Sequence, residues 1–184
     1  MHVILDQNNM SIYICDVEAD GPIPGIYSMV SFALVKLDKD LKTTFYAETK
    51  PISDQYVPEA LAVSGFTREE HLKFEEPLLV MQKMFKFIED SNESGRPIFM
   101  SDNPAFDWQW INYYSHLYMN SNPFGHSARR IGDFYAGLNK KFTNTSGWKK
   151  HKITKHTHHP SDDAKGNAEA LLYLFDKYDI TWSL

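Results

Sequence analysis

The chain has 184 residues, 42% of them hydrophobic and 23% charged, and a net charge of −5. That suffices for one soluble domain with a full core and excludes a protein that is basic overall. No apolar run approaches the ~18 residues that span a bilayer, so no membrane partner is expected, and the single cysteine, Cys15, excludes an internal disulfide.

Residues 1–9 read as a polar N-terminal extension ahead of one domain over 10–184, since Met10-Ser11 resembles a natural start. The chain opens without a basic segment and long apolar core, so no signal peptide is expected. With one cysteine, that makes the cytoplasm the expected location.

A first strand spans about 11–17. Side chains alternate along a strand, so Ile12, Ile14, Asp16 and Glu18 share one face, while Tyr13, Cys15 and Val17 share the other. Both faces read as buried, as in a central strand, and Cys15 reads as a packed thiol. Two ionised carboxylates on a buried face are costly unless something neutralises them, and a divalent cation does. A strand end running into a polar turn would also place Asp and Gly here, so D-x-E alone leaves both readings open.

Gly21-Pro22-Ile23-Pro24-Gly25 forces a loop, and strands follow at about 28–37 and 43–48, giving an antiparallel meander. Pro58 opens a short helix that Gly65 ends, and Thr67-Arg68-Glu69-Glu70 starts another. Pro77 opens a longer helix with Leu78, Met81, Met84, Phe85 and Ile88 as its apolar positions. After a break at 92–95, Pro97-Ile98-Phe99-Met100 is a fourth strand, followed by a helix over about 104–119. On it, Asp107 shares a face with Ile111, Tyr114 and Tyr118, which aims a carboxylate at apolar surroundings. An acid in the first turn also suits the helix dipole.

Residues 130–138 read as helical, and a loop follows. From Lys140 to His159 the loop has no acid but carries Lys140, Lys141, Lys149, Lys150, Lys152 and Lys155 with His151, His156, His158 and His159. A local basic segment on an acidic chain suits a polyanion at one place, or a solvated loop. No cysteine or H-E-x-x-H helix accompanies its histidines, so zinc is not expected. The last helix runs from near Ser161, its expected N-cap, to near Tyr178, and Asp163 borders its buried stripe. Strands followed by alternating helices and strands indicate an α/β three-layer domain with the first strand in the middle.

Taken in order, these pieces resemble the DEDDh family of 3′→5′ exonucleases. The first motif is Asp16-Val17-Glu18. The second, Asp102-Asn103-Pro104-Ala105-Phe106-Asp107, resembles the family's H-N-x-x-F-D, and the third is His158 with Asp163 five residues on. Val57 to Thr67 resembles a V-H-G-I segment that lies against the terminal nucleotide, and Ile131-Gly132-Asp133-Phe134 a further family segment. Asp102 and Ser64 stand where the family often has His, and Phe66 replaces an aliphatic residue. His156 and His159 compete for the base; the five-residue spacing favours His158, and His159 occupies the place a Tyr-type variant would need.

The resemblance implies a ribonuclease H-like fold with a central mixed five-stranded sheet flanked by helices. It implies that Asp16, Glu18, Asp107 and Asp163 hold two Mg²⁺ or Mn²⁺ ions, with His158 as general base. Ala19, Asp20, Gly21, Ser64, Phe66 and Asn103 would contact substrate, a single-stranded 3′ end cut to nucleoside 5′-monophosphates; a homodimer is compatible with it. Two other readings remain: a nucleic-acid-binding domain that has lost catalysis, and a phosphodiesterase for short oligonucleotides.

Overall fold

The computed structural model describes residues 10–181, so the expected 1–9 extension lies outside the described residues. Strand β1, Met10–Ala19, pairs antiparallel with β2, Met29–Lys36, which pairs antiparallel with β3, Thr44–Glu48. On its other edge β1 pairs parallel with β4, Ser94–Ser101, and β4 pairs parallel with the three-residue β5, Ala128–Arg130. The mixed sheet has the order β3-β2-β1-β4-β5, with β1 central as its apolar pattern requires.

The alternation along β1 sorts two cores. Ile12 and Ile14 pack with Ala164, Ala168 and Leu171 of α6, Pro160–Lys177, and with Ile131 and Tyr135 of α5, Ile131–Leu138. Tyr13, Cys15 and Val17 pack with Val80, Met81, Met84 and Ile88 of α3, Pro77–Ser91, and with Trp110, Ile111 and Tyr114 of α4, Pro104–Met119. The free Cys15 is fully buried there, which pushes its thiol pKa up. The result is three layers, each fully buried core side chain being worth about 1.5–3 kcal/mol.

Several local expectations shift. β1 extends to Ala19, because Asp16, Val17 and Glu18 stay in register with Ala33, Phe32 and Ser31 of β2 before an irregularity between Glu18 and Ala19. Leu78 is 42% exposed while Val80 is buried, since the stripe centred on Val80, Met84 and Ile88 turns Leu78 toward solvent. β5 has no sequence signal: Ala-Arg-Arg shows neither alternation nor β-branching and exists through its pairing with β4. Lys149–His151 forms a 3-10 turn inside the basic loop. Among the described residues no helix is long and apolar enough to cross a membrane.

Two short helices, α1 at Pro58–Val63 and α2 at Arg68–His71, cap one end of the sheet. Gly65 adopts φ +79, a conformation open to glycine at little cost, and so ends the first. Thr67 and Glu70 form a reciprocal capping box on the second. Both are tied to β1 through Asp20, whose carboxylate accepts from Ser28 N at 2.5 Å and Arg68 Nη1 at 2.9 Å. Asp20 O accepts from Val57 N, and Arg68 Nη2 donates to Ser53 O at 2.6 Å. His71, beside them, is pushed down to about 4 by burial and stays neutral.

Removing one partner of a buried ion pair costs about 3–5 kcal/mol, because the other charge is stranded. Asp20→Ala should therefore lower the melting temperature by roughly 6–20 °C. An unchanged melting curve by circular dichroism would show that Arg68 does not depend on it.

Candidate active site

The C-terminal half of β1 carries Asp16 and Glu18 on the face covered by α6. Pro160 at the first position of α6 sets the helix so that Asp163, in the first turn, meets them. Carboxylate oxygens of Asp16, Glu18 and Asp163 lie within 4.8 Å of one another. Asp107 comes from the first turn of α4, opened by Pro104. Pairing between β1 and β4 runs to Ile14 and Met100, and beyond it the Val17 amide donates to Asp107 Oδ1 at 3.2 Å. The side chains of Asp107 and Asp163 are almost wholly buried, at 4% and 2% residue exposure.

Buried acids so close raise one another's pKa values. Burial lifts Asp16 well above the usual carboxylate range, and repulsion from Asp107, Asp163 and Glu18 adds to it. Glu18 is pushed up to about 7 by burial and then by Asp163 and Asp107. For Asp107, burial outweighs the Val17 hydrogen bond, and its pKa also rises. Asp163 Oδ2 is buried without a hydrogen-bond partner. An all-oxygen set with an unsatisfied buried lone pair fits a hard divalent cation of the Mg²⁺ or Mn²⁺ type.

The loop before α6 brings two histidines to the acids. His156 Nδ1 lies 2.8 Å from Asp163 Oδ1, and His158 Nδ1 lies 3.8 Å from Glu18 Oε1. His158 holds φ +61, a left-handed conformation sparsely used outside glycine, which marks a constrained position. His156, which the five-residue spacing disfavours as base, thus contacts an acid, and ligand atoms of His156, His158 and Asp163 lie within 4.8 Å of one another. His159 does a different job: it is the N-cap of α6, its Nδ1 accepting from Ser161 N at 3.3 Å, so the cap is His159 and not Ser161. Its ring also stacks on Tyr46 at 4.7 Å.

The loop is clamped from below. Glu169 on α6 accepts from Ile153 N at 2.9 Å, Thr154 N at 2.7 Å and Thr154 Oγ1 at 2.8 Å. Lys152 sits over the buried Trp148 ring at 5.2 Å, and burial lowers its ammonium pKa against attraction from Asp102, Asp163 and Asp16. The sequence singles out neither residue. Glu169, one acid on a helix, carries no local signal; Lys152 differs from its lysine neighbours only through Trp148.

On the other side of Glu18 lies a groove of about 310 Å³ lined by Ala19, Gly21, Val57, Ala60, Val63 and Phe106 among others. Gly21 has no room for a side chain, since a Cβ would lie 2.1 Å from the Tyr27 ring. Of the expected substrate contacts, Ala19 and Gly21 line this groove. Asp20 does not: its carboxylate is turned inward onto Arg68. Ser64 donates its hydroxyl to Leu61 O, Phe66 packs edge-on against Phe74 at 4.9 Å, and Asn103 is the exposed N-cap residue of α4; none of the three is part of the groove lining.

No family model matches the chain. Over 126 residues, 67% of its length, it is 38% identical to the 3′-5′ DNA exonuclease Cap18 of Escherichia coli, and the match spans 66% of that protein, just under two thirds. The nuclease domain of 3′hExo, a DEDDh family member solved bound to rAMP, superposes with a TM-score of 0.73 at 17% identity, over 91% of this chain and 92% of that one. Exonuclease I of E. coli, in complex with a dT13 oligonucleotide, gives 0.68 at 14% identity, over 92% of this chain and 42% of that one. At such identities these two structures share the fold: the five-stranded mixed sheet with helices on both faces is that of ribonuclease H-like DEDDh domains.

Raised carboxyl pKa values mean that the metal-free native state binds protons the unfolded chain has released. Their stabilising effect is therefore present below the ordinary carboxyl range near pH ~4 and is lost as pH rises toward neutrality. Asp107→Asn keeps an oxygen for the Val17 amide but removes one charge. In EDTA at pH 8 it should melt several degrees above wild type, and the gap should close as the pH falls to about 4. A variant that unfolds at both pH values would make Asp107 a structural acid.

Proposed function

We propose that this chain, which is DEDDh-exonuclease-like in the order of its motifs and in its fold, hydrolyses single-stranded nucleic acid from the 3′ end and releases nucleoside 5′-monophosphates. The observation that carries this reading is the convergence of Asp16, Glu18, Asp107 and Asp163 from three separate elements beside a groove sized for a nucleotide. Buried acids that push one another's pKa values up are a burden for a purely binding domain, which favours catalysis over the non-catalytic alternative. The relative that is 38% identical is named for DNA, which makes DNA strands the first substrate to test.

In this reading Asp16, Glu18, Asp107 and Asp163 hold two divalent cations, Mg²⁺ or Mn²⁺. Bound there, such ions stabilise charge on the attacking and leaving oxygens of an in-line displacement. The terminal nucleoside occupies the groove against Ala19, Gly21, Val57 and Phe106, whose apolar surfaces suit a base or ribose. Asp20 acts through the loop that it fixes, while Ser64, Phe66 and Asn103 are assigned to substrate by their motif positions. His158 takes a proton from the attacking water; the water oxygen bonds to phosphorus, the bond to the 3′ oxygen breaks, and that oxygen is protonated as it leaves. Glu169 holds the backbone of the loop, which limits how far the imidazole strays.

The first test is metal dependence. Labelled DNA strands should be shortened from the 3′ end with Mg²⁺ or Mn²⁺, poorly with Ca²⁺, and not at all in EDTA. Full activity in EDTA would overturn the four-carboxylate mechanism.

The second separates the histidines. General-base catalysis contributes about 10²–10⁴-fold, so His158→Ala should lose roughly that much kcat while still binding DNA. His156→Ala, which removes an Asp163 contact, and His159→Ala, which removes a helix cap, should each lose far less. A dead His156→Ala beside an active His158→Ala would transfer the role of base to His156.

A further inference from the structure

Two cavities lie beyond the acids, on the side of the histidine loop. The nearer, about 400 Å³, is lined by Asp102, Lys149, Lys152 and His156 among others. The farther, about 620 Å³, is lined by Arg130, Lys140, Lys141 and Phe142 among others. Contacts connect them in sequence: His156 to Asp163 at 2.8 Å, Lys149 Nζ to Asp102 Oδ2 at 2.6 Å, and Arg130 Nε donating to Asp102 O at 3.3 Å.

The far cavity has an uncommon surface. Phe142 is 93% exposed, the highest among the exposed large hydrophobic side chains of the described residues. Lys140 and Lys141 beside it form no ion pair among the described residues, while the acid in the lining, Asp133, is engaged by Arg130 at 3.0 Å. The backbone fixes where the three residues stand. Lys140 adopts φ +53 just past the end of α5, where glycine is usual, and Lys141 N bonds back to Ala136 O at 2.9 Å. Free cations flanking an open aromatic ring are the elements with which proteins hold single strands, the cations for phosphates and the ring for bases. On a chain of net charge −5, six of the 19 lysines and arginines fall in the acid-free run 140–159.

We propose that the two cavities form a track for the single strand on the 5′ side of the cleavage site, with Phe142 as a base-stacking platform at its far end. This rests on the hydrolytic reading above, in which the 3′-terminal nucleoside fills the groove at Glu18. The strand must then leave across the acids, away from that groove, and the basic cavities share no lining residue with it. The substrate class is thus an oligonucleotide long enough to reach Phe142, in preference to a dinucleotide.

The test compares a DNA decamer with a dinucleotide on wild type, Phe142→Ala and Lys140→Ala/Lys141→Ala, all exposed positions. Turnover is measured with Mg²⁺, and decamer binding by fluorescence anisotropy with Ca²⁺ over a salt series. Phe142→Ala should raise KM for the decamer roughly 5- to 100-fold, the loss expected for one stacked base, with kcat and dinucleotide turnover unchanged. The lysine variant should flatten the dependence of log K on log salt by about 0.7 for each phosphate that the protein no longer neutralises. Equal effects on both lengths, or wild-type behaviour of both variants, would overturn the track and leave hydrolysis standing. Decamer binding that needs Phe142 without any cleavage would leave the track and overturn hydrolysis. A change of oligomeric state on sizing of Phe142→Ala, with decamer binding intact, would make the face a self-contact and also overturn the track.

Discussion

Like charges held close in a dry place repel, and this protein gathers its acids where little water reaches them. Asp16 and Glu18 stand on a strand whose two faces are both covered, and Asp107 and Asp163 enter from the first turns of helices in opposite layers. The fold cannot spread them apart without giving up the registers that build its cores. The upward pKa shifts of Asp16, Glu18 and Asp107 express that conflict, and cations bound among them would relieve it. Stability is sacrificed locally at the place where the proposed function would bring a metal and a phosphate.

Around the acids lie two kinds of surface, which in the proposed function would hold two parts of one strand. The groove beside Glu18 is mostly apolar, while the cavities past His156 are lined by lysines. Short helix α1 lines the first and is tied through Val57 to Asp20, which Arg68 of α2 also holds; the histidine loop borders the second and is pinned through Glu169 and Trp148. Each pin is an internal polar or cation–aromatic contact, so the site's walls rest on the scaffold and do not need substrate to form.

Much of this was legible in the chain. The alternation Ile12, Ile14, Asp16, Glu18 against Tyr13, Cys15, Val17 foretold a central strand with acids on one face, and the two cores divide along that line. The helical spacing of Asp107 with Ile111 and Tyr114 foretold its burial, whereas Asp163, read only as bordering the α6 stripe, is also buried. What escaped depends on contacts distant in sequence. β5 is a strand through β4, His159 displaces Ser161 as cap because the chain turns into α6 two residues earlier, and Asp20 faces Arg68, 48 residues on. His156 was set aside on spacing, which says nothing about how a loop folds back; the left-handed His158 lets both imidazoles reach the acids.

The central claim is that the acidic cluster is a binding site for divalent cations and not a structural network. A ligand that binds only the native state raises the melting temperature progressively with its concentration. Melting curves in rising Mn²⁺, starting from EDTA-treated protein near pH 7.5, test this directly. The account predicts a continuing rise for wild type that is largely lost in Asp16→Asn. A wild-type melting temperature that does not respond to Mn²⁺ would contradict it.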